Sequence, residues 1–380
     1  MRHPVITEDG TAAPAVSVII PAFHVHGFIA AALDSVLAQT FSDFEIIVVD
    51  DGSPDREEIE DAIRQRVGRI LHLKQDNGGP ASARNAAVRA ATGRFLAFLD
   101  SDDQWEPGYL AEQVGFLTAS TPNLQFVYTD AWIEGDPLIV GRSYMEFYPS
   151  NGDVNLESLL SERCRVITSA VVVSRDVVLR AGLFDESLRY AEDLDLWLRI
   201  AKQGARMGFH RKPLMRRRTH PGNTGADAMK LFDGVQRAFN KLAGDGSLSA
   251  AERAALTFAQ TRINGQISLM RGKRGLADRD FKTAIAELSR VDLAFRSWKA
   301  TLAIYALRVA PRVVYTAYSM RQRVERYRLA RVAATQPVPR PAEPPASAPN
   351  ASPDAELSPS SGTPALQGQS VREVSTREAT

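Results

Sequence analysis

Two patterns alternate along the first half of the chain. Short unbroken apolar runs stop at a proline or at acids, and between them lie segments whose apolar positions recur every three or four residues, the spacing of one helix face. Residues 16–20 (VSVII) form a β-prone run stopped by Pro21, and residues 28–40 place Ile29, Leu33, Val36 and Leu37 on one helical stripe. Residues 45–49 (EIIVV) repeat the run and end in Asp50, Asp51, Gly52 and Ser53, after which Ile59, Ala62, Ile63 and Val67 mark a second helix. A third strand over 69–74 and a helix over 81–91 lead to the run 95–99 (FLAFL), which ends in Asp100, Asp102 and Asp103. Strands alternating with helices predict an α/β fold, Rossmann-like, with a mainly parallel sheet and helices on both faces. In such sheets ligands bind at the carboxyl ends of the strands. Both acidic clusters fall at that edge.

The pattern continues with a helix over 109–119 and a strand over 124–129. It then loses its period over 131–163, where glycine, proline and aromatics suit either a substrate-facing loop or irregular surface. Residues 166–173 (VITSAVVV) read as another buried strand. Leu194, Trp197, Leu198 and Ala201 form one helix face with Gly204 as its C-terminal cap. Glu192 and Asp193 stand in the first turn of that helix, where its dipole favours acids.

Residues 226–331 are helical in pattern. A helix pair turning near Gly272 and Gly275 looks like one tetratricopeptide-type unit, which cannot bury its own face and is expected to pack on the preceding domain. Over 298–331 aliphatic and aromatic residues alternate with Arg308, Arg312, Arg321, Arg323, Arg326, Arg328 and Arg331. Such a basic helix could make peripheral contact with an anionic membrane surface, or it is a solvated face with a packed reverse. Residues 1–14 read as a loose polar arm, 15–225 as the α/β domain, and 332–380, rich in Pro, Ala and Ser, as a disordered tail.

Composition narrows the partners. The chain has 380 residues, 44% of them hydrophobic, and its 46 Lys and Arg against 45 Asp and Glu leave a net charge of +1, which argues for no nucleic acid partner. Cys164 is the single cysteine, which excludes an internal disulfide and a thiolate zinc cage and fits a reducing, cytoplasmic compartment. The opening MRHPVITEDGTAAPAV lacks the apolar core of a signal peptide, and no uninterrupted run of about 18 apolar residues predicts a membrane span.

The acids carry the candidate chemistry. If the strand geometry persists past Leu99, Asp100 and Asp102 point to the same side roughly 6 to 7 Å apart. A divalent cation, Mn2+ or Mg2+, would relieve their repulsion, and such ions commonly bind through one or two carboxylates with substrate phosphates completing the shell. The alternative is a turn, since Asp and Ser cap helices and Pro107 suits the first turn of one.

The ordered set VSVIIPAF, SVLAQTFSDFEIIVVDDGSPD, DNGGPASARNAAVRAATGRFLAFLDSDD, AGLFDESLRYAEDLDLWLRI and THPGNTG, spread over about 210 residues, resembles the family 2 glycosyltransferases, whose catalytic domain has the GT-A fold. The resemblance implies transfer of one sugar, with inversion, from a nucleoside-diphosphate sugar (a UDP-sugar favoured) to a hydroxyl of a glycan or lipid-linked acceptor in surface polysaccharide or glycolipid synthesis. It places the enzyme in the cytoplasm or at the inner membrane face. It implies that Asp51, with Asp50 beside it, contacts the base, that Pro21, Ala22 and Phe23 line the same pocket, and that Arg84 and Asp100 bind the nucleotide. Asp102 or Asp103 would hold the metal, and His220 would contact the diphosphate. In the Glu192–Asp193 pair, Asp193 would be the catalytic base. The Gln-x-x-Arg-Trp signature of many polymer-forming members is absent, in keeping with single transfer. Competing readings are a degenerate nucleotide-sugar-binding scaffold and a HAD-type phosphatase, which wants Thr or Val where Gln104 stands. A Rossmann dehydrogenase lacks its GxGxxG after the first strand.

Overall fold

The computed structural model describes residues 13–25, 27–66, 70–119, 123–135, 139, 141–220, 227–295, 298–335 and 373–375. Strands β1 (Val16–Ala22), β2 (Phe44–Asp51) and β3 (Ile70–Gln75) are joined by helices α1 (Ile29–Leu37) and α2 (Arg56–Arg64), and α3 (Pro80–Ala90) leads into β4 (Phe95–Phe98). β1 lies parallel between β2 and β4, and β2 pairs in parallel with β3. Ile19, Ile20 and Ile47 to Val49 are fully buried, as strands covered on both faces require. β1 runs past the expected stop at Pro21, which pairs with Val49. The reason is local: the Ile19 carbonyl accepts from Leu99 on the β4 side, so the missing N–H of Pro21 faces that same side, where β4 has already ended.

The second half of the sheet is mixed. It comprises β5 (Gln104–Trp105), α4 (Tyr109–Ala119), β6 (Phe126–Glu134), α5 (Tyr144–Phe147), α6 (Leu156–Leu160), a 3-10 turn at Thr168–Ala170, β7 (Val171–Ser174), α7 (Arg175–Arg180), α8 (Glu192–Lys202) and β8 (Met207–Arg218). β7 is antiparallel to both β4 and β6, β8 is parallel to β6, and β5 is antiparallel to β8. Two expectations change. The run 166–173 is a strand only from Val171, because its first half turns to bring Thr168 and Ser169 to the sheet edge. β8 was not expected at all, since MGFHRKPLMRRR is basic and contains Pro213. Its register against β6 shifts around Asp130, which accommodates that proline.

The C-terminal region holds α9 (Ala228–Ala243), α10 (Ala250–Ala277), α11 (Phe281–Phe295), α12 (Trp298–Val309) and α13 (Pro311–Thr335). Phe239, Leu242, Leu256, Ala259 and Ile263 join the core of the α/β domain, so α9 and the first half of α10 are built onto it. Leu276, Ala284, Leu288, Ile304 and Leu307 form a separate small core between α10, α11 and α12. The expected turn near Gly272 and Gly275 is displaced: α10 continues through both, and the chain reverses at 278–280 with Arg279 at φ 61°. The glycines serve close packing instead, since a Cβ on Gly272 would lie 3.3 Å from Leu288 Cγ and one on Gly275 3.0 Å from the Ala284 nitrogen. The basic stretch 298–331 is two helices broken before Pro311, which cannot continue the α12 hydrogen-bond ladder.

The expected disordered tail differs in two places. α13 continues to Thr335 through alanines that favour helix, and Glu373–Ser375 forms β9 on the open edge of β3. The rest of the tail and residues 1–12 of the arm lie outside the described residues. Among those described, no helix is long and apolar enough to cross a membrane.

Candidate active site

The carboxyl end of β2 carries an acid pair in which every carboxylate oxygen meets a donor of the protein. Asp50 is fully buried and accepts from the Ser53 N–H at 2.8 Å and from Arg56 Nε at 2.9 Å. Asp51, 2% exposed, accepts from the N–H groups of Gly78 and Gly79, both at 2.8 Å, and from Gln75 Nε2 at 2.7 Å. Two glycines make this possible. Gly52 sits at φ +68°, where a Cβ would come within 2.8 Å of the Asn77 nitrogen, and Gly79 adopts φ +89° to turn its N–H inward. The β2–α2 turn and the β3–α3 loop are thereby tied together. Beside them, at the end of β1, Ala22 is buried and Phe23 is exposed, with Pro21 between these extremes.

The carboxyl end of β4 is organised differently. Arg84, on α3 and 5% exposed, donates through Nη2 to Asp100 Oδ1 at 2.6 Å and through Nη1 to Glu192 Oε1 at 2.8 Å. Burial alone would weaken its hold on the proton, but Asp100 and Glu192 outweigh that and keep the guanidinium firmly charged. Both its Nη groups are thus engaged within the protein. Asp102 pairs with His220 Nε2 at 3.0 Å, and the His220 ring lies against Phe28 with centroids 5.1 Å apart. Asp103 is 5% exposed and accepts from the Arg218 N–H of β8 at 3.0 Å. Burial, reinforced by Asp102 and Asp100, pushes Asp103 up to about 8; burial and Asp100 also raise Asp102, although His220 opposes them.

Asp193 enters the same cluster from α8. Ala191, at φ 59°, turns the chain so that Glu192 and Asp193 open the helix on the β4 side. The Thr168 hydroxyl donates to Asp193 Oδ2 at 2.7 Å, while the next residue, Ser169, accepts the Asp100 N–H on its Oγ at 3.1 Å and the Trp105 indole N–H on its carbonyl at 2.8 Å. Burial and the Asp193 charge push Glu192 up to about 7 despite Arg84.

The structure therefore gathers Arg84, Asp100, Asp102, Asp103, Glu192, Asp193 and His220 at one edge of the sheet. Asp50, Asp51, Pro21, Ala22 and Phe23 form a neighbouring group at the ends of β1 and β2. Asp50 faces inward toward Arg56 and Ser53. Of the THPGNTG loop, residues 221–225 lie outside the described residues. Thr168, Ser169 and Arg218 were missed from sequence; the only signal for the first two was a pair of hydroxyls inside an otherwise apolar run.

Among the described residues no three His, Cys, Asp or Glu side chains converge as a cation cage. What is present fits a shared site instead. Asp102 is the more accessible carboxylate, and an ion held by it would need phosphate oxygens to complete its shell. Asp103 faces the protein interior through its bond to β8.

Comparison with known proteins agrees with this geometry. Residues 17–145 match the model of the family described as Glycosyl transferase family 2. The chain is 33% identical over 219 residues to the Escherichia coli UDP-Glc:alpha-D-GlcNAc-diphosphoundecaprenol beta-1,3-glucosyltransferase WfaP, covering 57% of this chain and 81% of that protein. It is 30% identical over 228 residues to an uncharacterized glycosyltransferase of Rickettsia prowazekii, covering 58% and 69%. Among solved structures, Staphylococcus aureus TarS 1-349 superposes with a TM-score of 0.54 at 18% identity over 82% of this chain and 91% of that one. The mannosyltransferase PcManGT of Pyrobaculum calidifontis, in complex with GDP-Man and Mn2+, gives 0.55 at 21% over 88% and 90%. Mixed sheet, helices on both faces and acids at the strand ends are those of the GT-A fold, and the chain belongs to the family 2 glycosyltransferases.

Proposed function

We propose that this glycosyltransferase moves a single sugar, with inversion at the anomeric carbon, from a nucleoside-diphosphate sugar to a hydroxyl of a lipid-linked or glycan acceptor in surface polysaccharide or glycolipid synthesis. The observation that carries the reading is Arg84, whose two Nη groups tie the acid ending β4 to the acid opening α8. That tie sets the leaving-group side and the base side of a displacement in one cluster. Asp193, oriented by Thr168, is the base that takes the acceptor proton, work typically worth about 10² to 10⁴ in rate. Glu192 and Asp100 are held by Arg84 and position their neighbours.

The donor side is shaped by the two strand ends. Asp51 uses three of the roughly four acceptor positions of a carboxylate, leaving one for a base N–H, which suits a uracil. A UDP-sugar is therefore the donor favoured, and WfaP is named for one. Asp102 would hold Mn2+ or Mg2+ and His220 would face the diphosphate; when bound, the ion would neutralise charge gathering on the leaving diphosphate.

The C-terminal helices support peripheral membrane contact. Trp298, Leu302, Tyr305 and Val309 on α12, then Val313, Met320, Val324 and Tyr327 on α13, are all more than half exposed and recur at three, four or seven residues. Residues 298–324 hold no acid, and Arg308, Arg312, Arg321 and Arg323 are exposed alongside the stripe. An apolar stripe whose neighbours are basic except for Glu325 near its end suits an anionic bilayer at the cytoplasmic face.

The test is transfer or donor hydrolysis with UDP-sugars and Mn2+, with the anomeric configuration of the product read by NMR. Asp193→Asn should abolish turnover while donor binding persists; turnover by that variant, or retention of configuration, refutes the reading. Sedimentation with phosphatidylglycerol vesicles tests the membrane contact, which Trp298→Asp with Tyr305→Asp should remove.

A further inference from the structure

Arg189 lies on the loop before α8, and that loop is pinned on both sides of it. Asp185 pairs with Lys241, Glu186 accepts from Asn85 Nδ2 at 2.8 Å, and Glu192 accepts from Arg84. Arg189 itself is exposed and pairs with no acid among the described residues. Its one hydrogen bond there runs back to the β3–α3 loop, from Nη1 to Asn77 Oδ1 at 3.4 Å.

Two glycines bring this pair to the candidate base site. A Cβ on Gly79 would lie 3.7 Å from Arg189 Nη1 and 3.9 Å from its Cδ, so the arginine runs along the bare face of the glycine whose N–H holds Asp51. A Cβ on Gly52, the residue after Asp51, would meet the Asn77 nitrogen at 2.8 Å and the Asn77 Cβ at 3.4 Å. Asn77 and Arg189 therefore flank Asp51 on its β3 side. The acids that end β4 lie on the other side, beyond β1, because the strands run in the order β4, β1, β2, β3.

That order decides which edge of a base meets Asn77. A uracil whose N3–H is taken by Asp51 has its ribose on N1, beside the 2-carbonyl, and the diphosphate must run toward β4. The 2-carbonyl then lies on the β1 side and the 4-carbonyl on the β3 side, next to Asn77. What the 4-carbonyl needs is a donor that does not turn away. A guanidinium only donates, so its bond fixes the Asn77 amide with the oxygen toward Arg189 and the NH2 away from it. That Nδ2 has no acceptor among the described residues.

We infer that Arg189 is a specificity-determining residue for the donor base: by holding the Asn77 oxygen it commits the Asn77 NH2 to the 4-carbonyl of uracil. It acts through Asn77 and is a positioning residue. Cytosine carries an amino group at the same position, and two donors would then face each other, a clash that selects by repulsion. Arg189 can do this only if Asp51 is the base contact, so the assignment rests on that reading.

The full-length protein with Mn2+ is titrated by calorimetry with UDP, with CDP in competition, and with pyrophosphate. The parent should prefer UDP. Arg189→Met keeps the stem along Gly79 and frees the amide to turn, so the UDP-to-CDP ratio should fall about tenfold, the scale of one hydrogen bond, chiefly through tighter CDP binding. Arg189→Glu, which accepts, should turn the amide round and lower the ratio further, whereas Arg189→Lys, which only donates, should keep the parent ratio. Pyrophosphate affinity should be the same in Arg189→Met and the parent. A ratio unmoved by both Arg189→Met and Arg189→Glu, or one common factor lost for UDP, CDP and pyrophosphate, overturns the inference and leaves the Asp51 reading standing. A parent that binds CDP as well as UDP removes the Asp51 reading and this inference together.

Discussion

EIIVVDD and FLAFLDSDD look like the same device twice, a buried parallel strand delivering acids to the sheet edge, and the folded protein uses them in opposite ways. At the end of β2 every carboxylate oxygen of Asp50 and Asp51 faces N–H donors of the protein, and the acids act as pegs that fix two loops. At the end of β4 burial, reinforced by the neighbouring acids, pushes Asp103 up to about 8 and, with Asp100, raises Asp102. The difference teaches that acids in a sheet edge are read by their donors. Satisfied acids build; crowded ones wait for a charge from outside.

Substitution should separate the two ends. Asp102→Asn is expected to lower transfer by on the order of a thousandfold, since an ion's stabilisation of the leaving group is worth several kcal/mol. The metal-free variant should melt no lower than the parent, and Mn2+ should no longer add to the stabilisation by UDP. A clear drop in melting temperature would make Asp102 a peg like Asp51 and erase the contrast. Arg84→Gln leaves Asp100 and Glu192 without their shared counter-charge, and urea unfolding should show a loss toward the lower end of about 3–5 kcal/mol, because Asp100 is partly exposed.

Asp51→Asn turns an acceptor into a donor opposite a backbone N–H, and should cost about 1–3 kcal/mol with a rise in donor KM. Unchanged stability would break the comparison from the other side. Thr168→Val removes the hydroxyl that orients Asp193 and should lower kcat by about tenfold with donor KM unchanged. A further effect concerns pH. Because burial raises Glu192 to about 7, the folded protein holds a proton there that the unfolded chain releases near 4.5. Its contribution is full below that lower value and fades as pH rises toward 7. Glu192→Gln should flatten melting temperature against pH across this window.

Much of the donor half was legible because each strand was a short, unbroken apolar run whose end carried unusual chemistry. The strands β1, β2 and β4, and the acids Asp51 and Asp102, could be placed that way, whereas Asp193, in the first turn of α8, was singled out by the family resemblance. β8 was invisible because its residues are basic and its partner β6 reaches it only through a register shift. Thr168 hid inside a run that reads as strand, and its bond to Asp193 spans 25 positions that no local pattern connects. The turn after α10 was misplaced because glycine signals a reversal as readily as a close helix contact, and only the neighbour Leu288 tells which. The cavity that Asp193 lines, enclosed by the 144–166 segment, α8, α9 and α10, has walls drawn from segments that share no periodicity.

One peptide link separates the side chain that holds Asp193 from the one that receives the Asp100 N–H. Thr168 and Ser169 thus act as the fixed frame of a caliper whose jaws are the strand end and the helix start. Substrates of different girth have to be fitted by reshaping what surrounds the frame. Lineages that change their sugars should therefore vary the 144–166 segment and the later helices, and leave the span between the jaws alone.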